Sequence, residues 1–315
     1  EELVHISAKV FRKAVIGMSA ICILARQDDS AARQRQMVGI RLASEKSGIG
    51  IKAPQVNYSQ AYFETLPHNR FRLFPDLTVK NLIDKIDTSS RPLAEFVSGH
   101  SGIRSKTRQA DVVSMTRHDD SWRPGLVSGS QIQRFRLEYR GHLLNINAEK
   151  LYRGGWDPAV IRQRKILIRQ TGYNIVACID DNCLYHLNNI HSFVLKNQKT
   201  SLDYLTLILN SRLMAFYYHA VTMEYGRAMA QTDIETLELL PVSLDERCAN
   251  EAPALVCRMM NLVAASAAGD TAAGRAAQAF ASELDQLVYG IYGLTADDID
   301  CVNNYEDHLA EGRTR

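Results

Sequence analysis

The chain has 315 residues, enough for about two domains, and 46% of them are hydrophobic, as expected for a globular protein that buries a core. The net charge is only +2, which excludes a chain that is strongly basic or acidic as a whole. The charge is nevertheless uneven: residues 1–90 carry +4, residues 91–175 carry +8 and residues 176–315 carry −10. The middle block could attract a polyanion, although an ordinary solvated basic surface has the same composition.

Six irregularly spaced cysteines do not form the pattern of a disulfide framework, so we expect a reducing, cytoplasmic location. The apolar run at residues 15–25 is too short to cross a membrane, and no cleavage-site pattern follows it. Because the first residue is Glu1 and not methionine, we expect this sequence to be a piece of a longer protein.

Residues 1–90 are predicted to contain strands and one clear helix. The segment KAVIGMSAICILARQDD is rich in β-formers, and the polar run from Asp28 to Ser30 ends it. The next stretch, SAARQRQMVGIRLAS, is polar and is predicted to be a short helix or a mobile connector. In DLTVKNLIDKID the apolar side chains recur at helical spacing, and a break follows before Pro92.

From about residue 93 to residue 195, short apolar segments alternate with glycine-containing turns, which predicts a β-rich region with exposed basic loops. After Ser201, a plausible N-cap, the spacing in SLDYLTLILNSRLMAFYYHAV becomes helical. Thr232 or Asp233 is predicted to open another helix, which ends before Pro241, and two longer helices follow. The predicted fold class is therefore α+β, with a β-rich centre and C-terminal helices.

The usual enzymatic motifs are missing from the sequence. It contains no Walker-type glycine loop, no GxSxG, no HExxH and no Glu-x-Lys triplet of the kind found in metal-dependent nucleases. Cys178, Cys183, His186 and His191 have a spacing that could just ligate zinc. The same cysteines flank a turn and could equally lie in the core of a strand pair, so we expect no metal.

Two basic stretches are suited to a polyanion. In GIRSKTRQ, alternating positions would place Arg104, Lys106 and Arg108 on one side of an extended segment. In IRQRKILIRQTG, Arg169 and Gln170 stand at the far end of an apolar strand, before the turn at Gly172. Arginine and glutamine are forked donors that read base edges, whereas lysine mainly contacts phosphates.

Alternatives remain for these side chains. Arg169 could pair with a neighbouring acid while Gln170 caps the turn, and Tyr152 and Trp156 could pack internally instead of stacking on a base or sugar. The predicted DNA-binding residues are Arg104, Lys106, Arg108, Arg134, Arg136, Arg153, Arg162, Arg164, Lys165, Arg169 and Gln170.

In this order, several segments resemble the target-recognition region of TaqI-like adenine-specific DNA methyltransferases and of the fused restriction–modification enzymes built on the same plan. The segments that carry the resemblance are LAEFVSGHSGIRS, RKILIRQTG, LYHLNNIHSFVL, LDYLTLILNSRLMAFYY, DIETLELLPV and ELDQLVYGIYGLTADDID. Arg164 stands where the family commonly has a proline. The segment VFRKAVIGMSAICILARQ is similar to the last strands of the family's catalytic domain.

The resemblance implies three parts: the end of a methyltransferase-type α/β domain and a connector at residues 1–90, a β-rich recognition domain at 91–200, and its helical C-terminal part at 201–315. The family's Asn-Pro-Pro-aromatic motif and its S-adenosylmethionine loop are missing from this sequence. We therefore expect no catalytic residue and no cofactor in this chain, and no activity of the chain alone. S-adenosylmethionine would belong to the parent enzyme, and the expected partners are double-stranded DNA and an N-terminal methyltransferase domain, with no membrane.

Two other functions remain open from the sequence. The chain could be a protein-interaction or structural module without DNA binding, in which the acidic helices form the working surface. It could also be a zinc-dependent hydrolase that uses Cys178, Cys183 and His186.

Overall fold

The structure, a computed structural model, describes residues 2–6, 19–23, 28–43, 56–66, 71–74, 76–154, 157–172, 174–222 and 230–314. The chain divides into two units. Unit 1 comprises Glu1–Lys85, Ala220–Met223 and Thr295–Arg315, and unit 2 comprises Ile86–His219 and Glu224–Leu294. The predicted division at residues 90 and 200 stays a prediction.

Unit 1 contains a four-stranded sheet formed by β1 (Glu2–Ile6), β2 (Ser19–Ile23), β3 (Met37–Ala43) and β4 (Val56–Ser59). Its strand order is β2-β1-β3-β4, and only the β1–β3 pair is parallel. Three helices follow the strands or lie between them: α1 (Ser30–Arg35), α2 (Gln60–Glu64) and α3 (Leu77–Thr88), whose last residues fall in unit 2.

Residues 30–43 form a short helix followed by a strand. The predicted short helix exists as α1, with the Asp29 carboxylate accepting hydrogen bonds from the amides of Ala31 and Ala32. The prediction for the rest of this stretch was wrong, because residues 37–43 form strand β3. This strand pairs on both sides, so sheet hydrogen bonding outweighs the weak local preference.

Unit 2 is built from short strands in four small sheets. Its strands are β5 (Arg91–Pro92), β6 (Val97–Ser101), β7 (Val113–Ser114), β8 (Trp122–Leu126), β9 (Ile132–Gln133), β10 (Arg136–Leu137), β11 (Leu143–Asn145), β12 (Lys165–Arg169), β13 (Ala177–Asp180), β14 (Tyr185–His186), β15 (Ile190–Leu195) and β16 (Pro241–Val242). The sheets have the orders β13-β12-β15-β6, β14-β8-β11-β7, β10-β9 and β16-β5.

Strand β12 lies inside the first of these sheets and is antiparallel to both neighbours, β13 and β15. Ile166, Leu167 and Ile168 have no exposed surface, so the strand is covered on both faces. This explains why its sequence is a continuous apolar run and not an alternating pattern.

The helices of unit 2 are α4 (Pro158–Ile161), α5 (Leu202–Leu209), α6 (Arg212–Thr222, which ends in unit 1), α7 (Ile234–Glu238), α8 (Glu246–Ala267) and α9 (Thr271–Ile291); α10 (Ala296–Thr314) belongs to unit 1. Ser201 caps α5, as predicted, by accepting a hydrogen bond from the amide of Tyr204. Of the two candidates for the cap of α7, the structure selects Asp233.

The helical segment that begins at Leu202 is interrupted at Asn210 and Ser211, which the helical spacing does not reveal. The Asn210 side chain accepts a hydrogen bond from the Ala177 amide at 3.1 Å and donates one to the Ala177 carbonyl at 2.9 Å. Asparagine is unfavourable in a helix interior because its side chain competes for backbone hydrogen bonds, as it does here with Ala177. The interruption therefore joins α5 to strand β13.

The predicted α+β fold class, with a β-rich centre and C-terminal helices, is confirmed by this architecture. Among the described residues, no helix has the length and apolar character needed to cross a membrane.

Removal of a buried lysine provides a first test of the fold. The ammonium group of Lys165 lies 2.6 Å from Asp180 Oδ2, and neither side chain is exposed. Lys165→Met should lower the free energy of unfolding by about 3–5 kcal/mol, because it leaves a buried carboxylate without its cation. Urea unfolding at pH 7 measures this. Arg162→Met, at a nearby exposed position, should change it by less than about 0.5 kcal/mol, and equal effects of the two substitutions would contradict the structure.

A buried histidine predicts a pH dependence of stability. Burial lowers the pKa of His186 to about 3, whereas an unfolded histidine titrates near about 6.5. Below pH 6.5 only the unfolded chain takes up this proton, so stability is lost as the pH falls. When the pH falls from 7.5 to 5.5, this histidine should therefore lower the free energy of unfolding by about 1.4 kcal/mol.

The measurement is urea unfolding at both pH values. His186→Asn should remove that part of the pH dependence, while His118→Asn, at an exposed position, should keep it. An unchanged slope in His186→Asn would show that this imidazole is not held neutral.

Candidate functional site

The start of strand β12 is occupied by internal ion pairs. Besides its contact with Asp180, the Lys165 ammonium donates to the carbonyl of Ile161 at 3.2 Å. The prediction that Lys165 contacts DNA is wrong, because a side chain without exposed surface cannot reach a ligand. The Asp180 carboxylate also accepts the amides of Asn182 and Leu184, so the pair organises the turn after β13.

Arg164 precedes this pair and forms two further ion pairs. Its guanidinium donates to both oxygens of Asp203, at 2.7 and 3.0 Å, and to Asp181 at 2.5 Å. The hydrogen bonds that Arg164 donates to Asp203 raise the pKa of Arg164. Because this fork already holds two carboxylates, Arg164 joins β12 to α5, and its predicted contact with DNA would have to break those pairs.

The far end of β12 is held by Arg169. Its Nε donates to the carbonyl of Gly129 at 3.1 Å, and its Nη2 donates to the carbonyl of Ile132 at 2.8 Å. Gly129 leaves room for this side chain, because a Cβ there would lie 2.8 Å from Arg169 Cγ and would force one of the two to shift. The guanidinium therefore clamps the loop at residues 129–132, and its partners are carbonyls and not the acid that the alternative interpretation expected. The predicted contact of Arg169 with DNA stays a prediction.

The chain after Arg169 is fixed through its backbone. The amide of Gln170 donates to the carbonyl of Asn189 at 3.1 Å, and its carbonyl accepts the amide of Thr232 at 2.8 Å. Gly172 completes the turn with φ of +125°, a conformation that side-chain-bearing residues rarely adopt. Gln170 itself is half-buried, and its predicted contact with DNA stays a prediction.

Two further predicted arginines have internal partners. Arg134 donates to the carbonyl of Asn210 and lines a small pocket together with Asp285. Burial lowers the pKa of Arg134. Arg136 pairs with Glu138 at 3.3 Å, and Arg140 contacts the same carboxylate at 3.0 Å. These contacts hold the β9–β10 hairpin and its surroundings, and base contacts by these side chains stay predictions.

The segment from Ile103 to Lys106 lies beside residues 149–152. Ser105 and Leu151 form an antiparallel bridge, the amide of Tyr152 donates to the carbonyl of Arg104 at 2.8 Å, and the amide of Lys106 donates to the carbonyl of Lys150 at 3.0 Å. Ile103 and Leu151 are buried in one apolar cluster. Arg104 and Tyr152 alternate with these anchors and are exposed.

The extended segment does not continue to Arg108, because the chain bends at Lys106 and Thr107. Arg108 pairs with Asp111 at 3.3 Å, and Lys106 donates to the carbonyl of Glu149 at 2.9 Å. The expectation that Arg104, Lys106 and Arg108 share one side of an extended segment is therefore wrong beyond Lys106.

Two arginines meet at one exposed aromatic ring. The guanidinium carbons of Arg104 and Arg153 lie 5.9 and 5.6 Å from the centroid of the Tyr152 ring, and Tyr152 is 55% exposed. We refer to these three residues as the Tyr152 cluster. Among the described Asp and Glu residues, none forms an ion pair with either arginine, in contrast to Arg108, Arg136 and Arg164.

Sequence reasoning named all three members of the cluster but did not predict that they come together. Arg162 is also exposed and has no ion pair with a described acid, and Trp156 lies outside the described residues. The predicted set of basic residues did not include Lys150, whose side chain is exposed and whose carbonyl accepts a hydrogen bond from the amide of Lys106. The alternation Lys150, Leu151, Tyr152 could have indicated it.

The zinc alternative has little structural basis. Cys178 is buried in β13 and burial raises the pKa of its thiol, while His186 and His191 are buried near backbone carbonyls. Within the described ranges, no three His, Cys, Asp or Glu side chains are arranged to hold a metal ion.

Comparison with known proteins agrees with the sequence resemblance. Residues 125–242 match the family described as the TaqI-like C-terminal specificity domain, which confirms the predicted resemblance for this segment. No curated protein matches the chain. One similar solved structure is the HsdS subunit from Thermoanaerobacter tengcongensis, with 11% identity, a TM-score of 0.30, and coverage of 69% of this chain and 50% of that chain. The chain thus spans about half the length of that subunit.

The clamp by Arg169 predicts a clear difference between neighbouring side chains. Arg169→Ala should lower the free energy of unfolding by about 1–3 kcal/mol, because two partly buried carbonyls lose their donors. Gln170→Ala keeps both backbone hydrogen bonds and should cost less than about 0.5 kcal/mol. Urea unfolding of the two variants provides the comparison. Equal midpoints would mean that the clamp does not hold the loop.

Proposed function

From the match of residues 125–242 to the TaqI-like C-terminal specificity domain, we propose that the chain recognises a specific sequence in double-stranded DNA. The parent enzyme is proposed to be an adenine-specific DNA methyltransferase of a restriction–modification system, and the chain supplies its target recognition. The family match is the single observation that carries this proposal.

The surface chemistry of unit 2 supports the proposal in one further respect. Exposed cations that are not neutralised by carboxylates attract phosphate groups, and Arg104, Arg153 and Arg162 have this character among the described residues. The loops that carry Arg104 and Arg153 are fixed to the core through Ile103 and Leu151. Rigid mounting favours recognition, because a contact made by an already ordered loop costs less entropy on binding.

Catalysis is proposed to lie outside this chain. S-adenosylmethionine and the target adenine would be bound by a methyltransferase domain that precedes the specificity segment in the parent protein. That domain would take up a flipped adenine while the specificity segment holds the surrounding duplex. The partners are therefore duplex DNA and the methyltransferase domain, and the proposed location is the cytoplasm.

The test is selection of duplexes by the 315-residue chain from a pool with a randomised central segment. Recognition should enrich a common sequence, and binding to it should weaken steeply as the salt concentration rises. The control is the same selection with a Lys165→Met variant, which should lose enrichment in proportion to its unfolded fraction. Salt-dependent binding without any enriched sequence would reject sequence recognition, and no binding would reject the DNA-binding function as a whole.

A further inference from the structure

The Tyr152 cluster has an unusual charge arrangement. Two guanidinium groups lie over the same ring, at 5.9 and 5.6 Å from its centroid, and both side chains are exposed. The ring attracts each cation, and this attraction helps to orient both side chains. No described carboxylate pairs with either of them, so a polyanion that lies along this edge would gain from both charges.

The backbone at Arg153 adds an independent observation. Arg153 has φ of +53° and ψ of +26°, a left-handed conformation that favours glycine over side-chain-bearing residues. An arginine at this position is strained, and strain of this kind concentrates where a side chain has a binding role. Glycine at position 153 would fit the same turn more comfortably but would lack the cation.

The neighbouring cations show that this arrangement is specific to the cluster. Arg108, four residues after Arg104, has 85% of its side chain exposed but pairs with Asp111. Lys106 donates to a backbone carbonyl at 2.9 Å. Among the described residues of these two segments, Arg104, Arg153 and Lys150 are therefore exposed cations without an ion pair, and only the two arginines contact the Tyr152 ring.

We propose that Arg104 and Arg153, positioned by Tyr152, contact the phosphate backbone of duplex DNA. This inference rests on the proposed function and adds to it the class of contact: the cluster positions the duplex and does not read its sequence. Two planar guanidinium groups suit the oxygens of a phosphodiester, because each offers parallel N–H donors. A phosphate contact carries no base information, so it should contribute equally to every sequence.

The experiment compares wild type, Arg104→Ala, Arg153→Gly and the matched control Arg108→Ala. Binding is measured to the selected duplex and to a duplex with one base pair altered, across a salt series. Arg104→Ala and Arg153→Gly should each weaken binding to both duplexes by roughly 5- to 10-fold at about 0.1 M salt, and should each reduce the slope of log affinity against log salt by about 0.9. Arg108→Ala removes an arginine that lies outside the Tyr152 cluster, and it should change neither quantity by more than about twofold.

A thermal melt separates binding from folding. Arg153→Gly should melt at the same temperature as wild type or higher, since it relieves the left-handed strain, so its loss of affinity cannot come from unfolding. If wild type binds DNA but both variants bind equally well, the phosphate contact is refuted and the proposed function stands. If Arg104→Ala weakens only the selected duplex, the residue reads bases and the inference is wrong. If wild type binds no DNA, the proposed function and this inference fail together.

Discussion

The architecture of unit 2 depends on one fully buried ion pair, Lys165 with Asp180, which are direct partners across strands β12 and β13. Two opposite charges removed from water must satisfy each other, because either one alone would cost several kcal/mol. The pair therefore fixes the register of these strands: a slip by one residue would separate the charges in the core. The Asp180 carboxylate extends this constraint to the following turn through the amides of Asn182 and Leu184.

Basic side chains at both ends of strand β12 bind neighbouring parts of the fold. Next to the buried pair, Arg164 reaches Asp203 at the start of α5, and at the other end Arg169 reaches the carbonyls of Gly129 and Ile132. The positive charge of residues 91–175 is thus partly compensated inside the fold by acids from the negative C-terminal part. A basic segment in a sequence is consequently a poor guide to a binding surface until its internal partners are known.

Features that depend on local sequence could be predicted, and features that depend on distant partners could not. Helical spacing and the N-caps at Ser201 and Asp233 involve residues within one turn, so the sequence contains the whole interaction. Burial of Lys165 requires Asp180, and the interruption at Asn210 requires the backbone of Ala177, which lies 33 positions earlier. Among the predicted site residues, the sequence could not distinguish the exposed Arg104 and Arg153 from Arg164 and Arg169, whose guanidinium groups have partners inside the fold.

The separation between internal and available cations follows from where each side chain is mounted. Arg164 and Arg169 stand at the two ends of a strand buried on both faces, where neighbouring elements bring carboxylates and carbonyls within reach. Arg104 lies beside the short bridge between Ser105 and Leu151. In these two segments Ile103 and Leu151 are buried in the core, whereas Arg104 and Tyr152 are exposed to water. Arg104 is exposed on this edge, and no described carboxylate forms an ion pair with it. Two exposed arginines at one ring, one of them in a left-handed backbone conformation, therefore support the proposed phosphate contact better than the higher density of basic residues around β12 does.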